Sequence, residues 1–383
     1  MIIKSIELKN YRNYENLNIE LSKGTNIFYG DNAQGKTNIL ESIYVGSTTK
    51  SHKGSKDKEI INFKRDDSHI KLIIERDGIN RRIDMHLKKN KAKGIAIDGI
   101  PIRKSTELLG IANVVLFSPE DLGMIKNGPS ERRKFIDMEL CQLDKIYLYN
   151  LSNYNKIITQ RNKLLKDTKF LKDIENLLDV WDEKLVYYGK EIIKKRLEFI
   201  KQLNDIIFNI HKKLSSNKEK LVIKYEPNVN LDNYSNKIIE NRNRDIKMKT
   251  TMVGIHRDDI SFYIDNIDIR KFGSQGQQRT AALSLKLAEI ELVKNIIKDN
   301  PILLLDDVLS ELDNNRQNQL LDNIKNIQTF VTCTGLEDFI SKMKNNKDYS
   351  EIEFNINKIF KVKEGKVSTV EFPKTLPAEK HLC

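Results

Sequence analysis

The sequence Gly30-Asp31-Asn32-Ala33-Gln34-Gly35-Lys36-Thr37 decides the fold of this 383-residue chain. It matches the pattern G-x-x-x-x-G-K-[ST], in which a loop between a strand and a helix cradles phosphate oxygens with consecutive backbone N–H groups. In this pattern the lysine, here Lys36, reaches the terminal phosphates, and the hydroxyl, here Thr37, holds Mg²⁺. All eight residues are therefore predicted to bind ATP or GTP.

The sequence around this loop has the strand and helix that the pattern requires. The apolar stretch Thr25-Asn26-Ile27-Phe28-Tyr29 runs directly into Gly30 and predicts a strand. After Lys36, the apolar residues Ile39, Leu40 and Ile43 have the spacing of a helix. The loop is thus predicted to lie at the N-terminus of a helix, where anions bind.

A second candidate half of the site follows the apolar run Ile302-Leu303-Leu304-Leu305, which predicts a buried strand. Asp306 and Asp307 come next, at the carboxyl edge of the sheet, where ligands of open α/β folds bind. We expect Asp306 to hold Mg²⁺ together with Thr37. We expect Asp307 to be catalytic with Lys36, by orienting or deprotonating the water that attacks the γ-phosphate.

Roughly 270 residues separate the two halves, more than a compact P-loop domain normally contains. Between Ser130 and Glu226 there is no proline and only one glycine, Gly189, and apolar residues such as Trp181, Leu185 and Ile192 recur at helical spacing. This stretch is predicted to be an inserted helical arm domain. Residues 70–100 predict a β-meander with turns at Asp77-Gly78 and Asp98-Gly99.

The predicted fold class is α/β, with a P-loop ATPase head that is split in the sequence and that, by the resemblance described next, is of the ABC type. Strands are also expected at Thr251–Val253, Ile260–Ile264 and Thr329–Cys333, and a helix over residues 277–298. The expected domains are residues 1–129 (first half of the head, with a β subdomain), 130–250 (helical arm), 251–372 (second half of the head) and 373–383 (a tail).

The segment Phe272-Gly273-Ser274-Gln275-Gly276-Gln277-Gln278-Arg279 resembles the signature loop of ABC-type ATPases. Ser274, Gly276 and Gln277 open a predicted helix whose N–H groups suit a phosphate. Ser310-Glu311-Leu312-Asp313 resembles the D-loop. In that superfamily the signature loop contacts ATP on the other subunit, so the resemblance implies a head-to-tail homodimer closed by ATP.

The formal net charge of +12 indicates an anionic partner such as nucleic acid, although a Lys-rich composition also occurs without one. Residues 151–250 contain 22 Lys and Arg against 14 Asp and Glu, and residues 51–100 contain 13 against 8. No apolar run approaches the roughly 20 residues that span a bilayer, so we expect a cytoplasmic protein without a membrane partner. The three cysteines form no C-x-x-C pair, which indicates structural thiols.

Three further segments resemble the RecF family of bacterial DNA replication and repair proteins, which is related to the structural-maintenance-of-chromosomes (SMC) ATPases. They are Leu8–Tyr14, the stretch from Pro119-Glu120-Asp121-Leu122 to Arg132–Asp137, and Asp307–Asp313. Two positions depart from the family pattern: Ile255 stands where proline is expected, and Gly123 is small.

The resemblance implies that ATP closes a dimer on single-stranded or duplex DNA and that slow, DNA-stimulated hydrolysis resets it. It also implies roles in DNA replication, recombinational repair and the SOS response, with recombination mediator proteins as partners. Arg132 and Arg133 are candidate DNA contacts, or else part of a solvated first helical turn. His256-Arg257-Asp258-Asp259 is a catalytic cluster or, as we favour, a polar turn with ion pairs.

Two other functions remain open for a P-loop chain of this length. The nucleotide-binding subunit of a transporter is disfavoured, because a basic arm separates Lys36 from Ser274 instead of a short helical subdomain. Another P-loop phosphotransferase is disfavoured because the signature loop has no role in a kinase. The prediction is therefore an ATP-switched DNA-binding protein.

Overall fold

The computed structural model describes residues 1–167, 174–324, 326–335 and 356–370. The chain forms two compact units: unit 1 consists of Met1–Pro119 and Val293–Cys383, and unit 2 of Glu120–Leu292. No helix in the described part of the chain combines the length and the apolar character needed to cross a membrane. The predicted tail at residues 373–383 lies outside the described residues.

Unit 1 contains most of the described strands, and unit 2 contains most of the described helices. The strands are β1 (Ile2–Tyr11), β2 (Tyr14–Glu20), β3 (Thr25–Tyr29), β4 (Asp67–Arg76), β5 (Ile79–Lys88), β6 (Lys91–Ile97), β7 (Ile100–Pro101), β8 (Val114–Phe117), β9 (Leu221–Glu226), β10 (Asp259–Ile264), β11 (Ile267–Asp268), β12 (Ile302–Asp306), β13 (Thr329–Cys333), β14 (Ile356–Lys363) and β15 (Lys366–Val370). The helices are α1 (Lys36–Thr48), α2 (Asp57–Ile60), α3 (Pro119–Leu122), α4 (Pro129–Leu143), α5 (Lys145–Lys166), α6 (Ile174–Leu214), α7 (Tyr234–Glu240), α8 (Arg242–Met248), α9 (Ile269–Phe272), α10 (Gln275–Ile297) and α11 (Asn314–Asn323). Short 3₁₀ segments lie at Ser105–Leu108, Ile255–Arg257 and Val308–Glu311.

A mostly parallel sheet of unit 1, in the order β15-β14-β3-β13-β12-β8, carries the nucleotide motifs. The strands β14, β3, β13, β12 and β8 run parallel, and β15 pairs antiparallel with β14. Every residue of β12 is buried, as expected for a central parallel strand made of a continuous apolar run. The predicted pairing of β13 with β12 is confirmed.

A second sheet of unit 1 is antiparallel, in the order β2-β1-β4-β5-β6-β7. Its hairpin turns use Asp77-Gly78 and Asp98-Gly99, and all four residues have positive φ, between 52° and 83°. Two consecutive positive φ values give the turn that matches the twist of a hairpin, which explains the Asp-Gly pairs. The predicted β-meander over residues 70–100 is confirmed.

Helix α1 contributes to one core with both sheets of unit 1. Every residue from Ile39 to Thr48 is buried, on all sides of the helix. Ile39 and Ile43 share a cluster of buried side chains with Leu72 of the antiparallel sheet and Leu304 of the parallel sheet. A helix that is buried all round is held by packing on both faces. The loop that precedes it is therefore anchored at both ends.

Unit 2 combines the helical arm with a small sheet in the order β11-β10-β9. The prediction of helix up to Glu226 is wrong at its end, because Leu221 and Ile223 are buried at alternate positions and form β9. The predicted strand at Thr251–Val253 is also wrong. The N–H of Thr251 donates to Asn162 Oδ1 (2.8 Å) and the N–H of Met252 to Asp245 Oδ1 (2.9 Å), so side chains replace a partner strand.

The predicted domain boundaries at residues 130 and 250 both lie inside unit 2. The strand β9 pairs with β10 across the predicted boundary at residue 250, from Asp259↔Glu226 to Ile264↔Leu221. This pairing joins residues 259–264 to the helical arm in one unit, which a boundary drawn from helical periodicity could not anticipate.

Candidate nucleotide-binding site

The loop from Gly30 to Gly35 leads from β3 into α1 and has a conformation that only glycine fits at its ends. Gly30 has φ of 151° and Gly35 of 113°. A Cβ at Gly30 would lie 2.2 Å from the carbonyl oxygen of Val362, and one at Gly35 would lie 2.5 Å from Asn13 Nδ2. The loop backbone therefore packs tightly against Val362 at Gly30 and against Asn13 at Gly35. These two contacts fix the path of the residues between the two glycines.

Lys36, the first residue of α1, folds its side chain back over this loop. Its Nζ donates to the carbonyl oxygens of Gly30 (2.5 Å) and Asp31 (2.8 Å). Burial lowers the pKa of Lys36, and the neighbouring carboxylate of Asp307 opposes that shift. The ammonium has backbone carbonyls as its hydrogen-bond partners, so a phosphate can take their place without breaking an ion pair.

Thr37 and Asp306, the predicted Mg²⁺ ligands, are in direct contact. Thr37 Oγ1 donates to Asp306 Oδ1 at 2.8 Å. Thr332, at the end of the intervening strand β13, donates to the same oxygen at 2.9 Å. Its Oγ1 in turn accepts the N–H of Asp307 at 2.9 Å. The hydroxyls of two threonines therefore fix the carboxylate at the edge of the sheet.

This donor set fits Mg²⁺. A hydroxyl and a carboxylate oxygen are hard ligands, and Mg²⁺ in phosphate sites usually takes only one or two protein oxygens beside phosphate and water. No cluster of three or more acidic, His or Cys side chains suited to a metal occurs among the described residues.

Asp307 follows the end of β12 in the left-handed conformation, with φ of 55°. Burial raises the pKa of its carboxyl group, Lys36 lowers it, and the charge of Asp306 raises it further. Ser310 Oγ donates to the carbonyl oxygen of Asp307 at 2.7 Å, which holds this unusual backbone conformation. A carboxylate with a raised pKa at a phosphate site suits a group that accepts a proton.

A cavity of about 280 Å³ in unit 1 joins these groups. Its lining includes most of the predicted loop and catalytic residues together with Lys53, which sequence reasoning missed. The lining residues are Asn32, Ala33, Gln34, Gly35, Lys36, Thr37, Asn38, Lys53, Asp307 and Thr332. Lys53 belongs to none of the motifs found in the sequence. Its segment is held by Ser51, whose hydroxyl donates a hydrogen bond to the carboxylate of Glu41 (2.5 Å). A second cation in this cavity suits a polyphosphate.

The signature residues belong to unit 2, at the N-terminus of α10. Gln277 N–H donates to Ser274 Oγ (3.2 Å), and Ser274 N–H donates to Gln277 Oε1 (2.9 Å), which is a reciprocal capping box. Ser274 and Gly276 are exposed. Their predicted contact with a nucleotide stays a prediction.

Arg132 is buried in unit 2, with only 3% of its surface exposed. Its guanidinium forms two hydrogen bonds with Asp259, at 2.7 and 3.1 Å, and its remaining nitrogen donates to three backbone carbonyls. Arg132 is therefore not available to DNA in this structure, which corrects that assignment. Arg133 is half-buried and donates to the carbonyl oxygen of Asp258 at 2.7 Å. Its contact with DNA stays a prediction.

The segment from His256 to Asp259 is an ion-paired turn, the interpretation that we favoured. Asp258 pairs with Arg196 at 2.7 Å, and Asp259 pairs with Arg132 and, at 2.9 Å, with Arg270. His256 bonds through Nδ1 to the hydroxyl of Tyr154 (2.9 Å) and through Nε2 to the carbonyl of Thr251 (3.0 Å). These contacts occupy the side chains that a catalytic cluster would need free.

A P-loop at the end of a parallel strand, an aspartate at the edge of the same sheet and a signature segment that caps a long helix define an ATPase head of the ABC type. The model of the RecF/RecN/SMC N-terminal domain family matches residues 2–357. The DNA replication and repair protein RecF of Lachnoclostridium phytofermentans is 61% identical over 359 residues, which cover 94% of this chain and all of that protein. The chain thus belongs to the RecF family.

Solved structures agree with this assignment. The recombination mediator protein RecF-ATP in the RecFOR pathway is 35% identical, with a TM-score of 0.87, and the match covers 96% of this chain and 97% of that one. The Smc head domain of Pyrococcus furiosus, at 17% identity and a TM-score of 0.54, covers 96% of this chain and 95% of its own. That likeness shows the shared fold of RecF and SMC heads.

Proposed function

We propose that this chain is an ATP-dependent DNA-binding protein of DNA replication and recombinational repair, which ATP switches between a monomer and a head-to-tail dimer. The arrangement of Lys36, Thr37 and Asp307 around one cavity, with Asp306 hydrogen-bonded to Thr37, carries the proposal. Membership of a family whose relatives are named for DNA replication and repair supports the DNA-binding role. A transporter subunit is disfavoured by the same membership.

Each residue of the site has a distinct task in this proposal. Lys36 exchanges its two carbonyl partners for the β- and γ-phosphates, and the loop N–H groups bind the remaining oxygens. Thr37 and Asp306 would hold Mg²⁺, which supplies charge neutralisation at the phosphates. Asp307 orients the attacking water and accepts its proton. Hydrolysis then resets the dimer, with turnover stimulated by DNA.

Sedimentation velocity of the full-length chain with no nucleotide, ADP or ATP tests the proposal. We expect the wild type to dimerise only with ATP, and Lys36→Ala to remain a monomer, because the cation that matches the phosphates is absent. Lys58→Ala, at an exposed lysine of α2, is the matched control. Asp307→Asn should form a dimer that persists, since asparagine tolerates the left-handed backbone while it cannot accept the proton.

The signature loop is tested by a pair of variants that both preserve the cap of α10. Asp and Asn are good N-cap residues, so Ser274→Asp and Ser274→Asn should fold alike. Only the aspartate repels a triphosphate, and we expect it alone to abolish the ATP dimer. A monomer under every condition, or dimerisation by ADP and by Lys36→Ala, would contradict an ATP-closed dimer. Labelled duplex and single-stranded DNA in the same runs test DNA binding independently.

A further inference from the structure

A loop and a hairpin lie side by side at one end of the antiparallel sheet of unit 1. The loop is Phe63-Lys64-Arg65, just before β4, and the hairpin Lys88–Lys91 joins β5 to β6. Asp67 of β4 lies opposite Lys88 of β5 in the antiparallel ladder, and the N–H of Lys89 donates to the carbonyl oxygen of Asp66 at 3.1 Å. We name these six residues the Phe63 surface: Phe63, Lys64, Arg65, Lys88, Lys89 and Lys91.

Phe63 is 93% exposed, the largest value of any large hydrophobic residue in the described part of the chain. Its loop is firmly built around Asn62. The N–H of Asn62 donates to the carbonyl of Asn10, and its Nδ2 donates to the carbonyl of Arg12, both at 2.8 Å. The N–H groups of Lys64 and Arg65 donate back to Asn62 at 3.1 and 2.9 Å. The fold thus holds an aromatic ring in water, although burial of that ring would be favourable.

The cations around Phe63 are largely uncompensated. Lys89 pairs with Asp66 at 3.1 Å, but in the described part of the chain no ion pair forms at Lys64, Arg65, Lys88 or Lys91. Lys88 and Lys91 stand directly opposite each other in the ladder, and like charges in that position repel. An anion bound between these side chains would relieve the repulsion.

We propose that the Phe63 surface binds single-stranded DNA, with an unpaired base stacked on the Phe63 ring and phosphates bound by the surrounding lysines and arginine. This inference rests on the proposed DNA-binding function and names where that DNA is held. A ring that projects into water beside cations is the combination that proteins use for single strands, since every base has a face to stack.

The chemistry of the surface favours this occupant over two others. The interior of a duplex offers no free base face to the ring, so duplex DNA would use the cations alone. A protein partner would need an apolar patch around Phe63, because the cores of protein interfaces are depleted in lysine. The two residues that follow Phe63 are instead Lys64 and Arg65, both exposed.

Fluorescence anisotropy of the full-length protein with labelled oligo(dT), an abasic oligonucleotide of the same length and a blunt duplex tests the proposal. Phe63→Ala should weaken oligo(dT) binding roughly tenfold or more, because stacking is lost, and should leave binding of the abasic strand and the duplex unchanged. Phe63→Tyr retains the ring and should bind like the wild type. Ile100→Ala, at an exposed apolar residue of β7 (71%), is the matched control.

The cations are tested by the double variant Lys88→Gln, Lys91→Gln. The slope of log K against log salt for oligo(dT) should decrease by about 1.4, since each lost phosphate contact removes about 0.7 from a single-strand slope. Oligo(dT) binding that survives both the Phe63 and the lysine changes would overturn this proposal and leave the proposed function standing. Wild-type protein that binds none of the three probes would overturn both.

One more outcome separates a protein contact from a DNA contact. If Phe63→Ala leaves all three DNA affinities unchanged but abolishes the ATP-dependent dimer, the ring contacts a second protein chain and the proposal fails. Thermal unfolding of each variant confirms folding, which we expect to be unaffected because Phe63 packs against almost nothing.

Discussion

The arginines buried in unit 2 and the cations of the Phe63 surface in unit 1 carry the same charge in opposite surroundings. In unit 2, Arg196 is 2% exposed and bonds to Asp137 and Asp258, each at 2.7 Å. Arg161, fully buried, pairs with Asp182 and Asp245 at 2.6 and 2.7 Å. In unit 1, Lys88 and Lys91 face each other in water.

The difference shows that a basic composition does not locate a nucleic-acid surface. Residues 151–250 contain 22 Lys and Arg against 14 Asp and Glu, yet three of their four arginines, Arg161, Arg196 and Arg242, are paired with carboxylates inside unit 2. Such pairs satisfy desolvated charges and hold the fold together. Cations that lack a carboxylate partner are the ones available to phosphate, and in the described part of the chain Lys64, Arg65, Lys88 and Lys91 of the Phe63 surface are of this kind.

The largest expected effect comes from breaking a buried pair of unit 2. Arg196→Met should lower the free energy of unfolding by about 3–5 kcal/mol, because the buried carboxylate of Asp258 loses its counterion away from water. The single tryptophan, Trp181, lies in α6 of unit 2, so its fluorescence in a urea titration reports this unit.

Arg244→Met, also in unit 2, is the matched control for that variant, because Arg244 is exposed and forms no ion pair in the described part of the chain. We expect it to change the free energy of unfolding by less than about 0.5 kcal/mol. Equal effects of the two changes would mean that the buried pairs are not what distinguishes the arginines of unit 2.

A pH titration of unit 2 should give the next largest effect, through His256. Burial lowers the pKa of His256 from 6.5 to about 4, so between these values the unfolded chain binds more protons than the folded one. The free energy of unfolding should therefore fall as the pH decreases from 6.5 to 4, by about 3 kcal/mol in all.

Urea titrations of wild type and His256→Gln across this range, followed by Trp181 fluorescence, isolate the histidine from the carboxyl groups that titrate with it. Glutamine can still bond to Tyr154 and Thr251, so we expect the two proteins to be about equally stable near pH 6.5 and the variant to become the more stable of the two towards pH 4. A constant difference over that interval would show that His256 does not titrate on unfolding.

The parts of the site that local sequence determines were predicted, and those that depend on distant partners were not. The P-loop, β12 and the turns at Asp77 and Asp98 each follow from a short pattern of glycine, apolar runs or Asp-Gly pairs, and the structure contains all of them. Thr37 and Asp306 are 269 positions apart, and their contact was predicted because the motif defines both roles.

Arg132 shows where such reasoning fails. An arginine in the first turn of α4 has the appearance of a surface cation, and nothing near it in the sequence indicates Asp259, 127 positions away. Lys53 was missed for the same reason, since its place at the cavity depends on packing after α1 rather than on a pattern. The contacts of side chains whose partners lie in other elements cannot be predicted from a local sequence pattern.

The smallest expected effect has the opposite sign and concerns the hairpin of the Phe63 surface. Lys91→Glu should raise the stability of β5 and β6 by about 0.2–1 kcal/mol, because an attractive pair with Lys88 replaces a repulsive one. Lys91→Gln, which only removes the repulsion, should fall between the wild type and Lys91→Glu. Slower hydrogen exchange of the amides in these two strands measures the gain.

The same two variants should weaken the binding of oligo(dT), so that stability and affinity change in opposite directions. Replacing a residue that stabilises the fold lowers the stability of the protein, as we expect for Arg196. Replacing a residue that is retained for a ligand raises it. If Lys91→Glu destabilised the hairpin, Lys91 would belong with the structural cations of unit 2, and the contrast between the two regions would fail at the position where it is clearest.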